Sequence, residues 1–359
     1  MFNHRHYVPI LKWKMGEYQA LQRLSEPVKD SLTPLLEIPP VGFDFESGTD
    51  KKTPDVHLAD FGNRLKSKWQ GRRCFVDLKY LPPNTRMEGG LHYVEATMAA
   101  ARAEGCTAVP VVSFANDAAF LSSVAGVVRQ DRRGVCFRLV LADFNRRNLA
   151  ADIETLLRPL VEGWSEVDLV IDTGTTVIPT TIMLQMMGLV PMMNRWRTVT
   201  IAATSYPETI AQIRAPFEIV PRLEWTAYKE FLAQLGRETR IPSFGDYGVA
   251  HPDLVELDMR IIKPFAKLRY TIDDAWYIAR GSSVRTDGFG QYQQMCARLI
   301  AQPFFSGRNY SAADAYIEDC ANGVAKTGNL STWVWVSTNR HLTKVVDDLS
   351  NLNALSVAA

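Results

Sequence analysis

Short apolar runs recur along the chain, each followed by a stretch of helical periodicity. The runs are Tyr7–Trp13, Pro34–Ile38, Cys74–Lys79, Ala108–Phe114, Val135–Ala142, Val167–Asp172, Thr198–Ala203 and Val220–Glu224. The helical stretches are Glu17–Leu24, Leu58–Trp69, Tyr93–Glu104, Ala118–Arg129, Leu149–Val161, Thr181–Met193, Pro207–Ile213 and Ala227–Leu235. Strands alternating with helices predict parallel βαβ units, and eight repeats fit an α/β fold of the (β/α)8, TIM-like barrel type. A doubly wound open sheet competes, but its glycine-rich first turn is missing: Lys12-Trp13-Lys14-Met15-Gly16-Glu17 stands there. The barrel is expected over residues 1–240.

Beyond that point the rhythm changes. Phe244-Gly245-Asp246-Tyr247-Gly248 reads as a turn, and Leu268–Thr271 with Trp276–Ala279 reads as a hairpin. Gln291–Ala301 and Ala312–Ala321 read as helices, Thr332–Val336 as a strand-like segment, and a last helix is expected from near Asn339. No Pro/Gly/Ser-rich linker intervenes, so residues 241–359 are expected to form an α+β extension packed on the barrel as a cap.

Composition narrows the classes. Of 359 residues 47% are hydrophobic and 22% charged, with 40 basic against 39 acidic, net +1. No global field recruits nucleic acid or a membrane, and no apolar run approaches the length of a membrane span. The opening apolar stretch is too short for a secretory leader, which makes a cytoplasmic location the expectation. Cys74, Cys106, Cys136, Cys296 and Cys320 contain no CxxC spacing and are expected as buried thiols.

The chemistry gathers at the strand ends. Lys12-Trp13-Lys14, Asp77-Leu78-Lys79 and Arg222-Leu223-Glu224 each place a large apolar residue between two charges. If Trp13, Leu78 and Leu223 pack under the helices, the period of two sends Lys12, Lys14, Asp77, Lys79, Arg222 and Glu224 into the barrel mouth. Glu37, Asp143 and Asp172 add carboxylates at the same C-terminal ends, where barrel enzymes keep their sites. Charges so buried must neutralise one another, as a salt-bridge plug, or hold a charged ligand. Glu37, Asp77, Asp172 and Glu224 with the four cations form the candidate catalytic set. Carboxylates holding a divalent metal beside phosphate-binding cations suit a metal-assisted phosphodiester or nucleotide hydrolase. A desolvated Lys79 or Lys14 acting as base or Schiff-base former is the other chemistry.

Other motifs carry less. Asp172-Thr173-Gly174-Thr175 matches an aspartic-protease tetrapeptide but occurs once, at a parallel strand end. Arg64, Lys66, Lys68, Arg72 and Arg73 beside Trp69 form a basic cluster that reads as a solvated helix face before a nucleic-acid surface. His4, His6, His57 and His92 lie in polar stretches expected at the surface.

With Tyr7-Val8-Pro9-Ile10-Leu11-Lys12-Trp13-Lys14 at its start, then Pro34-Leu35-Leu36-Glu37 and Asp77-Leu78-Lys79, the chain resembles the Beta protein family of phage and prophage proteins. The resemblance continues through Phe244-Gly245-Asp246-Tyr247-Gly248, His251-Pro252 and Leu268-Arg269-Tyr270. It closes on Gly328-Asn329, Thr332-Trp333 and Thr338-Asn339-Arg340-His341-Leu342, where Arg340 replaces the first of two histidines. Ala312-Ala313-Asp314 replaces a Trp-Gly-Asp. The resemblance implies a role in phage-encoded immunity and exclusion modules, and supplies no active-site map. Asp143, Asp246, Tyr247 and His341 complete the candidate set as ligand-binding residues. The expected partners are a small anionic or nucleotide-like ligand, a phage protein, or products of neighbouring immunity genes. An effector or sensor without chemistry, using the mouth or the Asp44–His57 insertion, is the second functional class.

Overall fold

A strand covered on both faces needs apolar residues at consecutive positions, and the Val-, Leu- and Ile-rich runs supply them. In the computed structural model, residues 2–210, 212–213, 216–236, 239–254 and 261–357 are described. The chain begins with β1 (Tyr7–Lys12), α1 (Met15–Gln22), α2 (Glu26–Asp30), β2 (Leu35–Glu37), and the short strands β3 (Phe43–Asp44) and β4 (Thr49–Asp50). Next come α3 (Pro54–Leu58), α4 (Phe61–Trp69), β5 (Cys74–Asp77), α5 (Tyr93–Ala103), β6 (Ala108–Val112) and α6 (Ala118–Asp131). They lead to β7 (Val135–Val140), α7 (Leu149–Leu157), β8 (Val167–Asp172), α8 (Thr180–Leu189), β9 (Thr198–Ala202), β10 (Phe217–Pro221) and α9 (Leu223–Gln234). The remainder holds β11 (Ser243–Asp246), β12 (Phe265–Thr271), β13 (Ala275–Ser283), α10 (Val284–Asp287), α11 (Gln291–Ile300), α12 (Ala312–Ala321) and α13 (Leu330–Val357).

The chain divides into two compact units built from alternating segments. One comprises Met1–Trp13, Thr33–Thr204 and Glu224–Tyr247; the other comprises Lys14–Leu32, Ser205–Leu223 and Gly248–Ala359.

The first unit is a closed barrel of parallel strands in the order β1, β2, β5, β6, β7, β8, β9, β11. Val8, Ile10, Leu35, Phe75, Val109, Val111, Cys136 and Val170 pack as its apolar core. Seven barrel strands fall where the apolar runs predict them. The eighth does not: it is β11, in the stretch expected as a turn. Gly245 is required there by crowding rather than by turning, since a Cβ would lie 2.8 Å from the Val8 carbonyl oxygen. A boundary at residue 240 would therefore cut the last strand from the barrel.

The run expected as the eighth strand overlaps β10, which pairs antiparallel with β13 in the second unit. Leu223, expected to pack outward under a helix, is 52% exposed. Pro207–Ile213, expected as helical, carries no helix in its described residues. The second unit's sheet runs β10–β13–β12, and the predicted hairpin is its β12–β13 pair. Leu268, Tyr270, Tyr277, Tyr292, Ile317 and Trp333 lie in one apolar cluster, with the Tyr292 and Trp333 rings stacked at 4.1 Å. The alternating Trp333 and Trp335 belong to α13, not to a strand. Asn329 Oδ1 accepts from the Thr332 amide at 3.1 Å and so starts the helix nine residues before the expected Asn339. All five cysteines are buried free thiols. Among the described residues no helix is long and apolar enough to cross a membrane.

Candidate functional site

On five barrel strands an inward apolar residue is followed two positions later by a charged one. The pairs are Ile10 and Lys12, Leu35 and Glu37, Phe75 and Asp77, Cys136 and Arg138, and Val170 and Asp172. The period of two keeps each pair on one face, so a charged layer lies above the apolar one at the C-terminal end of the barrel. Lys12, Glu37 and Asp77 share one register row across β1, β2 and β5.

Arg138 organises the layer. Its Nη1 donates to Glu37 Oε1 at 2.8 Å and to Asp77 Oδ2 at 2.6 Å. Nε and Nη2 donate to Asp172 Oδ2 at 2.9 and 2.7 Å, and Nη2 also reaches the Tyr247 hydroxyl at 2.8 Å. That hydroxyl donates to Asp172 Oδ2 at 2.6 Å. Lys12 donates to Glu37 and, at 2.7 Å, to the Tyr80 hydroxyl. Lys79 reaches Glu37 Oε1 at 2.6 Å. Three cations thus face three carboxylates. Glu37 is fully buried and Arg138 is 3% exposed, whereas the Lys79 side chain is 36% exposed and opens the network to solvent.

Burial alone would raise the Glu37 carboxyl, but Arg138, Lys79 and Lys12 overcome it and hold the group down at about 2. Burial lowers Lys12 below the usual lysine range, with Glu37 pulling the other way. Tyr247 is pushed well above the ordinary tyrosine value, chiefly by burial, so its hydroxyl stays protonated as a donor to Asp172. Tyr247→Phe removes one hydroxyl that both accepts and donates while leaving every charge in place. The expected result is a loss of about 1 kcal/mol, read as a lower urea midpoint at unchanged m-value.

The structure gathers Lys12, Glu37, Asp77, Lys79, Asp172 and Tyr247 and scatters the rest of the predicted set. Lys14 lies past the end of β1, exposed, at the N-cap of α1 in the second unit. Arg222 follows β10 in the second unit and pairs with Asp348 at 3.3 Å. Glu224 is in the first turn of α9, beside Tyr228, Phe231 and Phe244 on the wall of a small apolar cavity. Both left the predicted mouth because the eighth strand is β11. Asp143 accepts from the Val140 amide at 2.9 Å and closes the turn after β7. Asp246 accepts from the Tyr7 hydroxyl.

His341 bonds Thr271 Oγ1 through Nδ1 at 2.9 Å in the second unit. Its neighbour Arg340 lies between the Tyr270 and Tyr310 rings, 4.2 and 4.3 Å from their centroids, and donates to the Thr271 carbonyl. This closing motif knits the second unit together. Trp69 is fully buried, with its Nε1 donating to the Arg73 carbonyl at 2.9 Å, and Arg73 pairs with Asp168 at 2.7 Å. The α4 cluster therefore offers no exposed ring for base stacking. His92, expected at the surface, is 6% exposed and caps α5.

Sequence reasoning missed Arg138 and Tyr80. Arg138 was legible as the one charge inside the run Val135–Val140, an anomaly in a strand buried on both faces. Among the described residues no three His, Cys, Asp or Glu side chains gather as metal ligands. The Arg138 guanidinium lies among Glu37, Asp77 and Asp172, so a divalent cation does not fit this set. What the layer offers instead is fixed hydrogen-bonding charge with one solvent-reaching lysine.

No curated protein matches the chain. Among solved structures it is similar to single-site mutants of the tryptophan synthase alpha-subunit from Pyrococcus furiosus. One matches at 12% identity and a TM-score of 0.38, another at 14% and 0.39, each covering 69% of this chain and 89% of that one. The sequence pattern of the Beta protein family matches residues 7–347, almost the full length. The chain belongs to the Beta protein family.

Proposed function

We propose that the protein is a recognition component of a phage-encoded exclusion module that binds a small phosphorylated or nucleotide-like anion at the top of its barrel without turning it over. One observation carries the proposal: Arg138 holds three carboxylates from three different strands inside the barrel. Stability does not call for such a layer, because a well-packed apolar plug serves the fold as well or better. Every carboxylate in it is counter-charged, which leaves none poised as a base and favours binding over hydrolysis. Lys79, half out of the layer and 4.8 Å from the Tyr80 ring centroid, is the cation an incoming anion meets.

The test is a panel of nucleoside mono- and triphosphates titrated calorimetrically into wild type and Lys79→Met. A solvent-reaching ion pair contributes about 0–1 kcal/mol, so the variant is expected to melt near wild type while binding at least about tenfold more weakly. Phage protection should fall with it. Wild-type affinity in Lys79→Met, or no binding by wild type across the panel, overturns the proposal.

A second reading has its own observation. In the Asp44–His57 insertion and just before it, Phe43 and Phe45 are 37% and 42% exposed, with rings edge-on at 5.3 Å. Such a pair suits contact with a phage protein or the product of a neighbouring immunity gene. Under this reading Phe43→Ser with Phe45→Ser abolishes protection while nucleotide binding is retained.

A further inference from the structure

The second unit contains the opposite electrostatic arrangement. On one face of its sheet, β12 presents Lys267, Arg269 and Thr271 beside Arg280, Ile278 and Trp276 of β13, in that register. Arg269 is 9% exposed and donates from Nη1 to the Val249 carbonyl at 2.8 Å. Among the described residues no carboxylate pairs with it; its buried Nε–H makes no well-formed hydrogen bond, and the Tyr206 hydroxyl is a polar group that interacts with the guanidinium. Trp276, one register step away, is fully buried, and its Nε1–H has no acceptor. Tyr206 packs its ring edge-on to Trp276 at 5.2 Å, and Val249 and Ile278 complete the apolar surround.

Lys267 adds a second uncompensated charge. Burial first, and then Arg269, pushes its ammonium down to about 8, and among the described residues no carboxylate pairs with it. Arg280, opposite Lys267, lies over the Phe265 ring at 4.4 Å. Glu218 shares the row of Ile278 and Arg269 but is separated from Arg269 by β13.

A buried guanidinium without a counter-charge is strongly unfavourable, and a second cation beside it makes matters worse. Two N–H donors without a well-formed hydrogen bond add their own desolvation cost. One group answers all of these at once: an oxyanion with several acceptor oxygens and at least one negative charge. Arg supplies the geometry that recognises such oxygens, and an indole N–H is a donor only. We propose that this face of the sheet is a binding site for a phosphate group, with Arg269 and Lys267 supplying charge and the Arg269 Nε–H and Trp276 Nε1–H supplying directed hydrogen bonds. The site stands independently of the barrel top, since none of its residues belongs to the Arg138 layer.

The experiment uses the full chain at constant ionic strength, with inorganic phosphate exchanged for chloride and, in a parallel arm, for acetate. Saturating phosphate is expected to raise the wild-type melting temperature by about 4 °C, with acetate giving little change. Arg269→Gln risks misfolding, so the diagnostic variants are Lys267→Gln and Trp276→Phe. Lys267→Gln is expected to melt at or above wild type without phosphate and to lose the phosphate-dependent rise. Trp276→Phe, which removes one N–H, should weaken phosphate binding about tenfold. Lys79→Met should leave the rise intact. An unmoved wild type, an equal rise in Lys267→Gln, or a rise lost in Lys79→Met but kept in Lys267→Gln overturns the site. That last outcome would place phosphate at the barrel top instead, so the two proposals fail separately.

Discussion

Arg138→Met is expected to destabilise the protein by about 4 kcal/mol at pH 7, the scale set by removing one partner from a buried ion pair. Methionine fills much of the volume but leaves Glu37, Asp77 and Asp172 facing only Lys12 and Lys79. Asp172 then keeps the Tyr247 hydroxyl and the Gly174 amide as donors but no cation. Urea unfolding checks the magnitude, and a loss below about 1 kcal/mol would show that Arg138 is not the centre of the layer. Arg138→Lys keeps the charge but not the fork of donors, and should fall between wild type and Arg138→Met.

Glu37→Gln is the second large effect, and pH is its signature. The Glu37 carboxyl sits at about 2 in the folded protein against 4.5 in its unperturbed state. That difference corresponds to about 3 kcal/mol of stability at neutral pH. Because the folded value lies below the unfolded one, this contribution is complete above about pH 4.5 and disappears as the pH falls toward 2. Wild type should therefore lose stability steeply across that window. Glu37→Gln should start lower at pH 7, since Lys12, Lys79 and Arg138 lose a shared partner, and should show a shallower acid limb. Identical acid limbs in the two proteins would mean that Glu37 is not the group being titrated.

Much of this layer was legible from sequence for one physical reason. Strand ends alternate faces, and Lys12, Glu37, Asp77 and Asp172 each follow an inward apolar residue by two positions. Lys79 lies two residues past the end of β5, as Lys14 does past β1, yet it still reaches Glu37. The rule failed where a strand boundary was wrong. β1 ends at Lys12, so Trp13 and Lys14 no longer alternate, and Lys14 begins a helix instead. Arg222 and Glu224 were assigned to a strand that pairs elsewhere, because Gly245 disguised the true eighth strand. Glycine marks a turn far more often than the close approach of another backbone, and only the packing against Val8 distinguishes the two. Arg138 escaped because a rule about strand ends does not look at a strand's middle. The helix at Trp333 escaped because tertiary packing and an asparagine cap outweighed a strand-like alternation of aromatics.

The interleaving of the two units has a consequence for synthesis. β1 leaves the ribosome before the other barrel strands, yet one of its two neighbours, β11, is not translated until residue 243. Until then the nascent barrel is an open ribbon with bare edges at both ends, prone to pairing with other chains. Closure joins β1 to a strand translated long after it, which is a slow, high-contact-order event. A truncated transcript ending before that strand should yield aggregates that depend on chaperones, rather than a smaller functional protein.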